Sequence, residues 1–295
     1  MKKRKKIQFN SDTVYTVIVY TVAIILALLW LYPLIFVVSA SFSAPESLLS
    51  GEVLLLPKRL NLEAYKYIFQ NAGILTGYRN TIFYSVVGTI YNMLLTICAA
   101  YPLSRPDLKG RGVLTAMMTF TMFFGGGMIP TYLNLNSLGL LDTPWVMFVP
   151  AAISVTNFII MRNYFTHSVP SEVIEAAYMA GASQFQKLTR VVLPLSAPIL
   201  SVLSIYYMSG HWNAYFSAII YLSNEDLYPL QVFLRRILIM GGMEGMSSGS
   251  TMTDSLIYES LKYGVIVVST LPMLIGYLLV QKSFKKGIMM GSLKG

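Results

Sequence analysis

His167 and His211 are the only imidazoles in the chain, and they bound its acid–base and metal chemistry. Neither has a cysteine, histidine or carboxylate at the spacing a zinc site needs, so no metal ligands are assigned. Ser209 and Ser217 stand near His211, the kind of pairing an intramembrane serine hydrolase would use. Ser209 is too close in sequence to share a helix face with His211, and no G-x-S-x-G stretch surrounds either serine. His167, in "YFTHSVP", reads as an interfacial residue. The phosphate loop G-x-x-x-x-G-K-[ST] occurs nowhere, so hydrolysis of ATP is not expected of this chain. Catalytic residues and cofactors of its own are expected to be none. Cys98 is the single cysteine, which excludes an intramolecular disulfide, and its apolar surroundings suggest a buried small hydrophobe.

A second group of functional side chains lies in "EVIEAAYMAGASQFQKLTRVVLPL", residues 172–195. The spacing predicts a helical stretch over 171–191 with Ser171, after Pro170, as N-cap. Glu172 and Glu175 fall in the first turns and Lys187 and Arg190 near the end, as the helix dipole favours. Ile174, Ala177, Tyr178, Phe185 and Leu188 draw an apolar stripe. Gly181 should divide the stretch into a helix–turn–helix elbow, because a glycine inside a helix costs about 1 kcal/mol relative to alanine. The plain alternative is a solvated linker, which needs neither the stripe nor a glycine flanked by small residues.

The elements that must hold these groups are membrane spans. Of 295 residues 55% are hydrophobic and 12% charged, about half the charge of an ordinary soluble domain. The net charge of +9, spread among apolar runs, suits an anionic membrane surface better than nucleic acid. Six stretches approach the roughly 20 apolar residues a bilayer core needs: about 14–40, 80–103, 113–133, 143–163, 194–220 and 262–281. "MKKRKK" precedes an apolar run too long for a signal peptide and lacking a cleavage site, so it reads as a retained anchor. "FFGGGMIP" should loosen the outer end of the third span, while bundle packing could accommodate Pro150 and Asn157 in the fourth.

Lysine and arginine set the direction. With both termini cytoplasmic, the inner side collects the run Lys2, Lys3, Arg4, Lys5, Lys6, then Arg105, Lys109, Arg111, Arg162, Lys187, Arg190, Lys282, Lys285, Lys286 and Lys294. The outer side receives only Lys58, Arg59, Lys66, Arg79, Arg235, Arg236 and Lys262. The expected layout is a basic cytoplasmic N-terminus (1–13), a six-helix transmembrane domain (14–283) and a cytoplasmic tail (284–295). Outer loops would span about 41–79 and 221–261, and an inner loop about 166–193. The first outer loop has helical spacing at Leu62, Tyr65, Ile68 and Phe69; the second holds the flexible run "GGMEGMSSGSTM".

Glu175-Ala176-Ala177, three residues, Gly181, nine residues, Val191, one residue, then Leu193-Pro194 resembles the EAA signature of ABC importer permeases. "NTIFYSVVGTI", "HWNAYFSAIIYL" and the six-span layout are similar to the maltose-type, binding-protein-dependent carbohydrate permeases. "FFGGGMIPTYLNLNSLGLLDTPW" is most like the oligosaccharide/alginate-type branch. The resemblance implies an all-α membrane protein of the type I importer permease fold in the bacterial cytoplasmic membrane. It implies a homologous second permease, two ATPase subunits that bind ATP and Mg, and an extracytoplasmic solute-binding protein as partners. It also implies that the elbow seats in a cleft of the ATPase through Glu175, Ala176, Ala177, Tyr178, Gly181, Phe185, Leu188 and Pro194. In some members of that family the tail reaches between the ATPases.

A carbohydrate path needs hydrogen-bonding groups and aromatic faces on a firm wall. Candidates are Asn157, Trp212, Asn213, Tyr215, Trp145, Tyr132 and Asn92, with Trp30 and Tyr32 reading instead as belt or packing residues. Few charges lie inside the spans and none pairs as a proton relay would, which disfavours an ion-coupled carrier. Competing readings are a permease for another polar solute such as a peptide, and a polytopic membrane enzyme.

Overall fold

In lipid an uncharged run of aliphatic and aromatic residues can satisfy its own backbone groups by forming a helix. In the computed structural model, which describes residues 11–244 and 252–291, the first such run is one helix, α1 (Ser11–Ser41). Its side chains stay exposed until the last turn, where Ser39, Ala40 and Ser41 are buried. At about 1.5 Å per residue it is longer than a bilayer core.

The chain divides into two units. The first takes residues up to Gln70 together with Ile237–Val268. Here the part of the expected outer loop up to Gln70 is folded and in part helical, in keeping with the helical spacing read over 62–69. Helix α2 (Pro45–Leu49) and helix α3 (Glu63–Gln70) follow α1. Ser43 and Leu60 form the antiparallel bridge that closes the intervening turn. Ala64 and Ile68, on one face of α3, are buried, whereas Leu62 and Phe69 remain exposed. Tyr65 donates to Ser41 Oγ at 2.8 Å and stacks on Phe42.

The second unit takes Asn71–Arg236 and the chain from Ser269. Its mast is α4 (Ala72–Ser104), whose N-cap Asn71 accepts from Ile74 N. Then come α5 (Arg111–Phe123) and α6 (Met128–Ser137), bent by 113° at "FGGG". Gly127 takes φ +86°, a backbone that side-chain-bearing residues avoid, so the expected loosening is a sharp break. The stretch 143–163 is not one helix: a 3-10 turn (Pro144–Met147) and an irregular passage precede α7 (Val155–His167). Pro144 and Pro150 remove the N–H groups a continuous helix would need.

Next come α8 (Ser171–Met179), α9 (Gln184–Lys187), a π turn (Leu188–Val192), α10 (Leu193–Leu195) and α11 (Ala197–Trp212). The axis turns by 82° between Gln184–Leu195 and α11. A gap at 213–215 separates α11 from α12 (Phe216–Tyr221). Beyond a 3-10 turn (Glu225–Leu227) lie α13 (Leu230–Glu244) and α14 (Met252–Gly291). Among the described residues three helices are long and apolar enough to cross a membrane, or five spans if each bent pair counts as one. Most of the glycine-rich run and the end of the tail lie outside the described residues.

Two cores organise the second unit. One joins Met93, Ala100, Tyr101 and Leu103 of α4 to Phe158, Met161 and Phe165 of α7 and to Leu203 and Tyr207 of α11. The other gathers Tyr84, Leu135, Val146, Met147, Phe148, Ala218, Leu222 and Val232. Cys98, expected to be buried, is instead exposed on α4, where a small apolar thiol suits a lipid-facing helix surface.

Candidate functional site

The elbow is built by three boundary signals. Pro170, extended at φ −60° and ψ 132°, occupies the N-cap position of α8, so Ser171 is its first helical residue and not the cap. At the other end Ala182 N donates to Ala177 O and Gly181 N to Tyr178 O. These are the paired bonds of a Schellman stop, whose hinge residue must be left-handed, and Gly181 has φ +78°. The glycine is therefore an end cap rather than a weak point inside a helix. Ser183 then restarts the chain: its Oγ accepts from Gln186 N at 3.2 Å while Gln186 Oε1 accepts from Ser183 N at 2.8 Å.

Pro194 shapes the turn beyond that box. A proline ring clashes with the carbonyl four residues earlier, here Arg190, and the chain widens into the π turn there. One extra residue per turn relieves the clash and rotates everything beyond it.

The anticipated stripe is split before the π turn is reached. Ile174 and Leu188 pack against the α4–α7–α11 core. Tyr178, Met179 and Phe185 instead stand 67%, 84% and 73% exposed. Leu188 is thus withdrawn from the outward face, and Met179, missed in the sequence because it is off the predicted stripe, joins it. A cavity of about 560 Å³ opens beneath the elbow, lined by Tyr101, Arg105, Asp107, Glu175, Tyr178 and Lys187 among others. Lys187 is buried with its Nζ 5.0 Å from the centre of the Tyr178 ring, fixing the ring's position. Glu175 is exposed and has no cation within 4.0 Å among the described residues. Ala176 and Ala180 are exposed, Ala177 and Ala182 half-buried, and a Cβ added at Gly181 would meet nothing. The elbow therefore presents a free carboxylate, small residues and three apolar side chains across α8 and the start of α9.

The candidates for a solute path fall into two kinds. Asn92 is 1% exposed and fully used. Its Nδ2 donates to Ala151 O and Ala152 O at 2.8 and 2.9 Å, and its Oδ1 faces His211 Nε2 at 3.1 Å. Because the amide protons go to the carbonyls, His211 must donate through Nε2. Thr96 gives its hydroxyl proton to Asn92 O, so Tyr207 donates to Thr96 Oγ1 and accepts from Ser154 N. This network ties down the non-helical passage before α7, whose freed carbonyls would otherwise be unpaired in lipid. Trp212 is likewise buried and donates to Ser269 O at 3.0 Å. Asn92 and Trp212 are internal ties, not open lining groups.

The other candidates, Asn157 excepted, are more open. Asn213 is exposed with its amide on Ser209 O. Trp145 and Tyr132 are exposed, the first edge-on to Phe148 and the second stacked on Tyr221 at 6.3 Å. Tyr215 lies under Arg235, 4.6 Å from guanidinium to ring centre. Asn157 is buried in the first turn of α7, behind its N-cap Ser154. His167 is exposed at the end of α7. Beside Tyr221, whose O accepts from its N, Asp142 accepts from Ser223 N and Asn224 N, both at 2.8 Å. Those two bonds hold its carboxyl below the usual carboxylate range.

A broken-span helical bundle with a capped, projecting elbow is the architecture of a transporter's membrane subunit. Residues 71–288 match the family described as binding-protein-dependent transport system inner membrane component, and the chain belongs to that family. It is similar to the polygalacturonan/rhamnogalacturonan transport system permease protein YtcP of Bacillus subtilis (strain 168), at 40% identity over 97% of this chain and 100% of that one. It is also similar to Protein LplC of the same organism, at 39% identity over 89% of each. A chain from the crystal structure of a bacterial ABC transporter involved in the import of the acidic polysaccharide alginate superposes with a TM-score of 0.83. That match has 34% identity and covers 95% of this chain and all of the other. The protein is a permease of the type I importer fold, a transport subunit and not an enzyme.

Proposed function

We propose that this chain is one of two permease subunits of an ATP-driven importer, carrying an oligosaccharide delivered by an extracytoplasmic binding protein. ATP and Mg would be held by separate ATPase subunits. The observation that carries the reading is the elbow, where Tyr178, Met179 and Phe185 stand clear of the bundle beside Glu175. Polysaccharide import in the names of the similar proteins supports the substrate class. Both termini lie in the cytoplasm, following the lysine and arginine bias, so the elbow meets the ATPases there. Asn213, Tyr215, Trp145, Tyr132 and Asn157 belong to the solute path.

Coupling is mechanical first. An exposed ion pair through Glu175 contributes about 0–1 kcal/mol, whereas burying each large apolar side chain contributes about 1.5–3 kcal/mol. Uptake of labelled oligosaccharide into proteoliposomes holding the whole complex tests this. Glu175→Lys and Gly181→Leu should abolish uptake while the subunit still inserts and assembles. Normal uptake by both variants would refute the coupling assignment.

A further inference from the structure

Two consecutive arginines on α13 are treated differently by the second unit. Arg236 is neutralised, with its guanidinium 2.8 Å from the Glu225 carboxylate and 5.1 Å from the Tyr228 ring centre. Arg235, about 100° further round the helix, lies over Tyr215 and is exposed. Among the described residues no carboxylate comes within 4.0 Å of it. Asp142 is already engaged by two backbone N–H groups. Tyr215 itself sits in the gap between α11 and α12. Irregular backbone inside a span is tolerated only when buried in protein or lining a wet cavity.

We propose that Arg235 and Tyr215 form a subsite for a uronic acid residue, so that the imported chain is an acidic oligosaccharide. This rests on the oligosaccharide-import reading above and narrows it. The Tyr215 ring, packed against the second core, holds one face of the guanidinium and so positions it. The guanidinium's edge stays free, and its planar fork matches a carboxylate through two parallel bonds. A neutral sugar would need no unpaired cation at that place. A single exposed charge also binds weakly enough to let the cargo leave, as a transport path requires.

The test uses the complete complex with its binding protein and ATPases in proteoliposomes. It is offered tetragalacturonate and tetramannuronate, each beside its fully methyl-esterified neutral form. The readout is the ratio of charged to esterified initial uptake. Arg235→Gln should lower that ratio about tenfold, which corresponds to about 1.4 kcal/mol. Arg235→Lys, keeping the charge but losing the fork, should recover part of it. An unchanged ratio in Arg235→Gln overturns the subsite. That includes the case in which both rates fall together, as they would if Arg235 gripped an acidic side chain of the binding protein. A wild-type complex that carries neither charged chain overturns the acidic class and the subsite with it. Oligosaccharide import then stands or falls separately on the neutral chains.

Discussion

The elbow at 170–194 and the tie network around Asn92 use side chains in opposite ways. The elbow satisfies its backbone locally, through the Schellman stop at Gly181 and the Ser183–Gln186 box, and leaves Tyr178, Met179 and Phe185 uncovered. The network buries its polar groups and saturates them, joining α4, α11 and the passage before α7 through Asn92, His211, Thr96 and Tyr207. A polar residue deep in a membrane bundle with every bond made is holding backbone together. An apolar residue standing free on a firmly capped turn waits for another surface.

The largest effect that separates the two regions is expected at Asn92. Asn92→Leu strands two carbonyls and His211, at about 1–3 kcal/mol for each group left unsatisfied. The purified subunit should lose several degrees or more of thermal stability. Retained stability with a raised KM for solute would instead make Asn92 a lining group and erase the contrast.

Next comes a pair of serine substitutions. Leu188→Ser, in the core, should destabilise the subunit by about 2 kcal/mol or more through lost burial. Met179→Ser should leave thermal stability within about 0.5 kcal/mol and weaken ATPase binding. The opposite assignment of the two effects would mean that Leu188 and Met179 do not face as described.

Gly181 offers a finer test. A left-handed residue with a side chain costs about 1–2 kcal/mol, asparagine less than others. Gly181→Asn should therefore keep more uptake than Gly181→Ala. Equal loss from both would indicate that space for the partner, rather than φ, requires the glycine.

The smallest effect is at Asp142, in the connection before the 3-10 turn. Its folded carboxyl titrates below the ordinary 3.8. The stability it contributes is fully present above that ordinary value and is lost as pH falls through the lower folded one. Thermal melts of wild type and Asp142→Asn should differ at pH 6 and converge in strong acid. A gap that persists there would deny the titration a role.

Much of the elbow was legible because proline locks φ and glycine alone enters the left-handed region freely: Pro170, Gly181 and Pro194 mark its start, hinge and end. The side-chain directions were not: Ile174 and Leu188 pack on the core while Tyr178 and Phe185, a turn away from each, stay exposed, and the apolar spacing alone does not tell them apart. The long apolar runs located α1, α4 and α14 well. Span 143–163 misled, because composition does not reveal that Pro144 and Pro150 open the backbone and that Asn92 closes it. Asn92 and Trp212 carry chemistry that fits a sugar site, and only their partners reveal them as ties.

The central claim is that the exposed aromatic face of the elbow seats the ATPase. Replacing Tyr178 and Phe185 together by aspartate removes two apolar anchors worth about 3–6 kcal/mol. Affinity of the detergent-purified membrane subunits for the ATPase, measured by titration, is predicted to fall more than about hundredfold, with thermal stability of the membrane subunits retained. Undiminished affinity in the double variant would contradict the account.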